Sequence, residues 1–535
     1  MGAPRTWQMW SLVGLAAMLW VGCGGGNGSG NGADGNGPDG GQMEDVGPND
    51  DVPSEPLDTQ DIQEEPDADE PDLPPIDPDS FDDGVADDPS AVDQGQVVAF
   101  DPEQVPEDFE IFSLGVSSGG MVHDSALFWG YSATSEPATL RIWRPSDNDG
   151  EITLVYDERL TPDDGGYFKV RVEGLASGTW YRFAFFAPAE QGEDEGEVTF
   201  AARSEIGDVR TALGPGGFAP IKIGAATCTN FRFSPYRSLL ATSDEGVDVF
   251  INVGDISYND PAQNLDEYRG FWRQTLEDPG YRAVLSSSGS YITWDDHEVD
   301  NNWNPERIGA ERLAAAKQAY FETLPVDRGP DNRLWHSYQW GDTAEFMVLD
   351  SRSERLPSTR RTDDPIYFSR QQMDWLKERL INSTAHFKIL LNSVPITRMP
   401  DAWLFQDDRW QGYDAQRQEL IDFILDNDIH NVWFLAGDFH VGFVGRVEPE
   451  GPGRRMWEIA VGPGGNGPNP LPELVNAGLL EAEQVFPVNQ FRYGNGMMEV
   501  MTTLEFNPIA NNVRVRFVDA LTFEVLFDEV LSEED

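Results

Sequence analysis

Residues 247–258 read VDVFINVGDISY, and this stretch decides the fold class. Its first seven residues are almost continuously apolar, a pattern typical of a short strand that is buried on both faces of a sheet. The glycine that follows lets the chain turn sharply and leaves Asp255 exposed at the carboxyl end of that strand.

The same combination recurs through the second part of the chain. Further apolar runs occupy residues 221–226, 345–349, 386–391 and 431–436. Helix-type composition or spacing lies between the runs, in residues 311–322, 369–380 and 414–425. Buried strands that alternate with helices predict a layered α/β domain, which we assign to residues 206–535.

Residues 97–205 have a different pattern. The segments ATLRIW (138–143), YFKVRV (167–172) and WYRFAF (180–185) alternate apolar and polar residues, and turn-forming clusters separate them. Short alternating strands of this kind predict a β-sandwich of the fibronectin or immunoglobulin type. We find no catalytic grouping in this region.

The first 23 residues are typical of an export signal. Arg5 gives a positive start, and the apolar run at residues 10–21 is too short for a membrane span. The run ends at Gly22-Cys23, which resembles a bacterial lipoprotein signal in which Cys23 receives the lipid. We therefore expect a lipid-anchored protein of the bacterial envelope or surface, with an ordinary secretory signal as the alternative.

Residues 24–96 are first rich in Gly and Asn and then in Asp, Glu and Pro. A segment with few apolar residues and one sign of charge cannot bury enough surface to fold, so we predict a disordered tether, with a cation-binding tail as the alternative. The net charge of −57 argues against nucleic acid as a partner. With only Cys23 and Cys228, the chain has no disulfide framework, and no protein partner is indicated.

Metal-ligand residue types cluster where the strands of the α/β domain end. Cys228 follows one strand and Asp255 the next, the run WDDHE occupies residues 294–298, and Asp438 and His440 follow a fourth strand. Consecutive ionisable groups repel one another unless a cation compensates, and residues two apart on an extended chain point the same way. Carboxylates, imidazoles and a thiolate together predict a mixed site for two or more metal ions.

The order of these motifs resembles that of the alkaline phosphatase D (PhoD-like) family, which belongs to the calcineurin-like metallophosphoesterases. The most specific elements are Gly254-Asp255-x-x-Tyr258 and residues 294–303, WDDHEVDNNW. The resemblance covers the chain from about Phe109 onward. It implies a layered α/β metallophosphoesterase domain that follows the β-sandwich in the sequence.

Carried onto this sequence, the resemblance implies a ligand set. Iron(III) would be held by Cys228, Asp255, Tyr258 and His440, and Asp255 would bridge to a second metal, calcium(II). The further ligands that it implies are Asp296, Asp438 and either Asn301 or Asn302.

The resemblance also implies hydrolysis of phosphate mono- or diesters, in which a metal-bound hydroxide attacks phosphorus. We expect His297 to give a proton to the leaving oxygen. Arg352 either holds the phosphate or pairs with Asp350. The alternatives are a phosphodiesterase selective for phospholipid or wall-polymer esters, and a non-catalytic surface lipoprotein that binds ligands on the same fold.

Overall fold

The computed structural model describes residues 95–145, 150–189, 199–329, 332–403 and 408–535, all of which belong to one compact unit, Asp82–Asp535. The expected signal, Cys23 and nearly all of the expected tether lie outside the described residues. Within those residues, no helix combines the length and the apolar character that crossing a bilayer requires.

The strands of the described residues are β1 (Gln96–Ala99), β2 (Val116–Val122), β3 (Ser125–Tyr131), β4 (Ala138–Pro145), β5 (Glu151–Leu160), β6 (Tyr167–Glu173), β7 (Trp180–Pro188), β8 (Phe200–Arg203), β9 (Gly207–Arg210), β10 (Ile221–Thr229), β11 (Val249–Val253), β12 (Gly289–Thr293), β13 (His336–Trp340), β14 (Ala344–Val348), β15 (Phe387–Leu391), β16 (Val432–Ala436), β17 (Gly442–Arg446), β18 (Trp457–Ala460), β19 (Pro463–Gly465), β20 (Phe491–Asn495), β21 (Val500–Asn507), β22 (Asn512–Asp519) and β23 (Val525–Leu531). The α-helices are α1 (Arg237–Ser243), α2 (Leu265–Leu276), α3 (Pro279–Ser287), α4 (Ala310–Thr323), α5 (Arg370–Asn382), α6 (Asp414–Asp426), α7 (Pro470–Asn476) and α8 (Ala482–Val485).

Two large mixed sheets face each other at the centre. One has the strand order β23-β22-β21-β10-β11-β12-β2-β3-β6, and the other has the order β13-β14-β15-β16-β18-β17-β20. Tyr291 of β12 packs on Phe346 of β14 with ring centroids 5.1 Å apart, and it stacks on Tyr338 of β13 at 4.3 Å. The inner faces of both sheets therefore share one apolar core.

Helices cover the outer faces of both sheets. Helices α2, α3 and α4 pack on the larger sheet, with Trp272 and Tyr320 in their buried cluster. Helices α5 and α6 pack on the seven-stranded sheet through Leu376, Leu420 and neighbouring apolar side chains. This arrangement confirms the layered α/β fold that the alternation of strands and helices predicted.

The β-sandwich is also present. One of its sheets contains β1, β5, β4, β7 and β8, with β9 paired to β7, and it packs on β2, β3 and β6. The ring pairs Phe128–Phe183 and Phe168–Phe185, with centroids 4.9 and 5.0 Å apart, fill the space between the two layers.

The second layer of the sandwich continues directly into the central sheet. Strand β2 lies parallel to β12, with Gly119 opposite Ser290, and a Cβ at Gly119 would lie 2.2 Å from the carbonyl oxygen of Pro325. This pairing satisfies an edge that would otherwise be open to association with another strand.

Candidate metal centre

The predicted ligands meet where the carboxyl ends of parallel strands from both central sheets adjoin. Asp255 follows β11, Asp296 follows β12, and Asp438 and His440 follow β16, whereas Cys228 lies within β10. At this edge the two sheets are joined by side chains: Thr293 donates to the carbonyl oxygen of Leu349 at 2.6 Å, and Trp294 donates to Asp350 at 2.9 Å. Open α/β sheets commonly place their ligands at such strand ends.

In both Gly-Asp motifs the glycine lies so close to a neighbouring chain segment that a side chain would not fit. A Cβ at Gly254, where φ is 104°, would lie 2.6 Å from the Cβ of Asp295. A Cβ at Gly437 would lie 2.2 Å from Oγ1 of Thr227 in β10. Only glycine lets the ends of these strands come close enough to present their carboxylates to one point.

The backbone of the site is strained. Cys228, Asp255, Asn302, Asp438 and His440 all have a left-handed backbone, with φ between 49° and 63°. This conformation costs a residue with a side chain on the order of 1–3 kcal/mol, and it persists only where the surroundings enforce it. Five such residues around one centre indicate that this part of the structure is a functional site.

Glu298 holds two of the loops together. Its carboxylate is buried, and it accepts hydrogen bonds from the backbone N–H groups of Asp255 (3.2 Å), Ile256 (2.6 Å) and Asp295 (2.8 Å). The turn after β11 is thereby fastened to the turn after β12, which fixes the separation between Asp255 and Asp296.

The first group of ligand-type atoms matches the expected iron set. Sγ of Cys228 lies 3.4 Å from Oδ2 of Asp255, and the Tyr258 hydroxyl lies 3.4 Å from the same oxygen. The Tyr258 hydroxyl is also 3.4 Å from Nε2 of His440. A thiol, a carboxylate, a phenol and an imidazole therefore face one point.

Two further groups adjoin the first. One contains Asp255, Asp296 and His297, and the other contains Asp295, Asp296 and Asp438. Within each group the ligand atoms lie within 4.8 Å of one another. Because Asp255 and Asp296 are each shared between groups, the donor atoms form one continuous site with room for more than one ion.

Asp255 is buried, with 2% of its surface exposed, and is not exposed at the strand end as its place after Gly254 predicted. Burial and like charges act together at this site. Burial, followed by repulsion from neighbouring carboxylates, raises the pKa of Asp255 and of Asp438 well above the usual range. Burial and Asp255 likewise raise the pKa of the Cys228 thiol and of the Tyr258 phenol. Burial, together with His297, lowers the pKa of His440 to about 4, so its imidazole is neutral, as a metal ligand must be.

Cations are the natural counterpart of these groups. The Oδ1 atom of Asp296 is buried and accepts no hydrogen bond from the described residues, although Nη2 of Arg352 is 3.8 Å away. A buried carboxylate oxygen without a partner is costly, and a metal ion would satisfy it. The residues present therefore fit bound metal ions.

Both candidate asparagines lie beside this site. The backbone N–H of Asn302 donates to Oδ2 of Asp296 at 2.5 Å, and the Asn302 side chain donates to Asn301 at 3.5 Å. Asn302 is partly buried, whereas Asn301 is exposed. Either Asn301 or Asn302 therefore stays a candidate metal ligand, as the resemblance implied.

His297 is held on two sides. Its Nδ1 atom lies 2.8 Å from Oδ1 of Asp260, and its ring stacks on Tyr258 with centroids 3.9 Å apart. Burial opposes a charge on His297, but Asp296, Asp255 and Asp260 outweigh it and raise the pKa of His297 well above the usual range. The imidazole is therefore oriented beside the ligand groups, and its role as proton donor stays a prediction.

Arg352 is fully buried behind the carboxylates. Its Nε and Nη2 atoms bind the two oxygens of Asp295, at 2.5 and 2.9 Å, and Nη2 also lies 3.2 Å from Asp438. From Arg352, Asp350 accepts a hydrogen bond from the backbone N–H alone, at 3.1 Å. The side chain therefore pairs with Asp295 rather than with Asp350, and its role as a phosphate ligand stays a prediction.

Three residues of the site had no assigned role in the sequence reasoning: Asp295, Asp260 and Asn466. Nδ2 of Asn466 lies 2.5 Å from the Tyr258 hydroxyl and 3.2 Å from Nε2 of His440. Asn466 follows β18 and β19, so the position of polar residues after parallel strands was a signal that could have identified it.

Comparisons with known proteins match the part of the chain that contains this site. Residues 223–474, which include every site residue named above, match the family model of the PhoD-like phosphatases. They form a PhoD-like phosphatase domain. The chain is also 26% identical to alkaline phosphatase D of Bacillus subtilis (strain 168) over 394 residues, or 63% of this chain and 65% of that protein.

Solved structures support the PhoD-like fold. The match to a solved structure of PhoD covers 79% of this chain and 89% of that one, with a TM-score of 0.64 and 21% identity. The purple acid phosphatase PPD1 from yellow lupin (Lupinus luteus) seeds covers 78% of this chain and 74% of its own, with a TM-score of 0.53 and 11% identity. At these identities the two structures establish the fold, while the activity rests on the site.

Proposed function

We propose that this protein is a metal-dependent phosphoesterase that hydrolyses phosphate mono- or diesters. The observation that carries the proposal is the continuous site formed by three overlapping ligand groups, in which Asp255 and Asp296 are shared. Ions held close together in this way can neutralise phosphoryl charge and lower the pKa of a water molecule.

The chemistry of the donors supports a division between two kinds of metal. The group that contains Cys228, Tyr258 and His440 offers sulfur, phenolate and imidazole donors, which suit iron(III). The group formed by Asp295, Asp296 and Asp438 offers only carboxylate oxygens, which suit calcium(II). Asp255, which belongs to the first two ligand groups, would bridge the two metals.

The surrounding side chains have distinct roles in this proposal. His297, held by Asp260, carries the proton for the leaving oxygen. Arg352, paired with Asp295, balances the charge of the carboxylates and fixes their positions. Because Arg352 is fully buried, we assign it this positioning role in preference to direct contact with phosphate.

Hydrolysis of p-nitrophenyl phosphate and of its bis-ester tests the proposal. Purified protein should hydrolyse at least one ester, lose the activity on chelation and regain it with iron and calcium. Asp255→Asn should remove most of the activity, whereas Asp208→Asn, an exchange in the sandwich strand β9, should not. A folded, metal-loaded protein that binds esters without turnover would favour a non-catalytic binding role, and turnover of phospholipid or wall-polymer esters alone would favour a selective phosphodiesterase.

The identity of the metals has a test that does not depend on activity. Ferric iron bound by Tyr258 should give a visible charge-transfer band, and Tyr258→Phe should remove or shift that band while metal analysis still finds iron. A colourless and iron-free protein with full activity would contradict the iron assignment.

We also propose that the protein is exported and anchored in the envelope through a lipid on Cys23. The support is the signal-like sequence of residues 1–23. The protein should fractionate with membranes and carry a metabolically incorporated fatty acid, and Cys23→Ala should abolish the labelling. Unlabelled wild-type protein in the soluble fraction would contradict the anchor.

A further inference from the structure

A cavity of about 360 Å³ is lined by residues that are separate from the candidate metal ligands. Three arginines, Arg446, Arg454 and Arg492, line it together with Trp457 and other side chains, and Asp535 supplies one carboxylate. Three cationic side chains and one anionic side chain therefore line this cavity, in a chain with a net charge of −57.

Arg446 is the most informative of these residues. It is only 3% exposed, and within the described residues no carboxylate lies within 4.0 Å of its guanidinium group. The guanidinium lies 3.4 Å from the ring centroid of Trp457, and Nη1 is 3.5 Å from the carbonyl oxygen of Arg455. A buried cation without an anionic partner is costly, so this position favours an anion.

The other two arginines add to the positive potential. Nη1 of Arg454 donates to the carbonyl oxygen of Pro449 at 2.7 Å and also to that of Asn489, which holds this side chain at the rim. Arg492 is exposed and has no ion pair among the described residues. Burial, together with Arg454 and Arg492, lowers the pKa of Arg446 to about 10, although Asp535 and Glu533 oppose the shift.

We propose that this cavity is a second ligand site, which binds a phosphate-type oxyanion. Planar guanidinium groups give the paired donors that such anions accept. The volume exceeds the needs of a free ion and falls in the range of small-molecule sites, so a phosphate group on a small organic molecule fits best.

The site is separate from the metal centre. Arg446 is the last residue of β17 and pairs with Trp457, the first residue of β18. Ala460, at the other end of β18, lies beside the strand ends that carry the ligands. The strand from Gly442 to Arg446 alone spans roughly 13 Å. No lining residue is a candidate metal ligand.

Calorimetric titration of the metal-loaded protein tests this proposal with two probes, inorganic phosphate and phenylphosphonate, whose P–C bond resists hydrolysis. Wild type should bind at two sites, one of them the metal centre. Arg492→Ala should weaken the second site at least tenfold, and Arg446→Met should abolish it. Arg159→Ala, which removes an exposed guanidinium from β5, is the matched control and should bind as wild type does.

The kcat for p-nitrophenyl phosphate should be unchanged in all three variants, which separates this site from the catalytic one. Tighter binding of phenylphosphonate would identify a phosphorylated organic ligand, and tighter binding of phosphate would identify the free ion. Equal stoichiometry and affinity in wild type and Arg492→Ala would overturn the proposal.

Thermal unfolding gives a second readout. An anion that binds only the folded protein raises its melting temperature, and this increase should be smaller in Arg492→Ala than in wild type. Because Arg492 is exposed, this variant should fold even if Arg446→Met does not.

Discussion

Arg352 and Asp295 form a fully buried ion pair with two parallel arms, Nε–Oδ1 at 2.5 Å and Nη2–Oδ2 at 2.9 Å. Asp295 is itself one of the carboxylates of the candidate metal site, and Arg352 also contacts a second one, Asp438, at 3.2 Å. Removing one partner from a buried pair leaves an uncompensated charge, whereas an exposed pair is largely screened by water.

We expect Arg352→Met to lower the free energy of unfolding by about 3 kcal/mol, because Asp295, Asp408 and Asp438 would lose the cation that all three contact. Arg141 and Asp157 form a matched pair with the same two-armed geometry, at 3.1 and 3.0 Å, but Asp157 is 39% exposed. Asp157→Asn should therefore cost less than about 1 kcal/mol. Urea denaturation of chelator-treated protein measures both values, and equal losses would show that burial does not strengthen the Arg352 pair.

Glu298 should control metal affinity although it is not assigned as a ligand. Its carboxylate accepts three backbone N–H groups, and Glu298→Gln puts a donor against them, which should weaken metal binding about 10–100-fold. Glu458→Gln is the control, because Glu458 is equally buried and accepts from the backbones of Ile396 and Thr397.

Competition with a chelator at pH 8 measures the two affinities. Burial, the largest cause in each residue, raises the pKa of both Glu298 and Glu458 to about 7, so both carboxylates are mostly ionised at pH 8. A similar loss of metal in the two variants would mean that general destabilisation, and not the position of Asp255, is responsible.

His297→Gln should reduce kcat most for substrates whose leaving group needs a proton. We expect a loss on the order of 10²–10⁴-fold with an alkyl phosphate and a smaller loss with p-nitrophenyl phosphate. Asp260→Asn should show the same trend more weakly, because Asp260 orients the ring through Nδ1.

Steady-state kinetics with both substrates measure this difference. His386→Gln serves as the control, since that imidazole belongs to no ligand group and binds Asn511 at the protein surface. If His297→Gln slowed both substrates equally, His297 would act on metal binding and not on the leaving group.

His336 should make stability depend on acidity. Burial lowers the pKa of His336 to about 4, below the value near 6.5 of the unfolded chain. The neutral form is therefore the folded form, and its stabilising contribution is complete above pH 6.5 and lost as the pH falls towards 4. The free energy of unfolding should fall by up to about 1.4 kcal/mol per pH unit in this window.

His336→Gln should remove this part of the pH dependence. The measurement is urea denaturation of both proteins at several pH values between 4 and 7, and the quantity is the difference between their slopes. His123→Gln, in the hairpin between β2 and β3, should retain the wild-type slope. Parallel curves for wild type and His336→Gln would contradict the prediction.

Local patterns in the sequence were sufficient for much of the fold. The run at residues 247–253 predicted a buried strand, which the structure has as β11, and residues 414–425 predicted α6. Such patterns succeed because the periodicity of apolar residues is a property of neighbouring residues alone. The sandwich strands around Leu140 and Phe183 were recognisable for the same reason.

The sequence did not indicate that a layer of the β-sandwich and a central sheet of the α/β domain form one continuous sheet. The pairing of β2 with β12 links residues 119 and 290, and nothing in either segment identifies the other as its partner. Pairing between distant strands depends on packing and register, which a short segment does not contain.

The sequence by itself determined which kinds of donors would stand at the strand ends: Cys228, Asp255, Asp296, Asp438 and His440. Only the tertiary structure decided how they are grouped and supported. Arg352 pairs with Asp295, 57 positions away, and Asn466 reaches Tyr258 across 208 positions. The physical reason is that residue type and strand position are local, whereas a hydrogen bond or a shared ion depends on distances of a few ångströms that the packing of the two sheets sets.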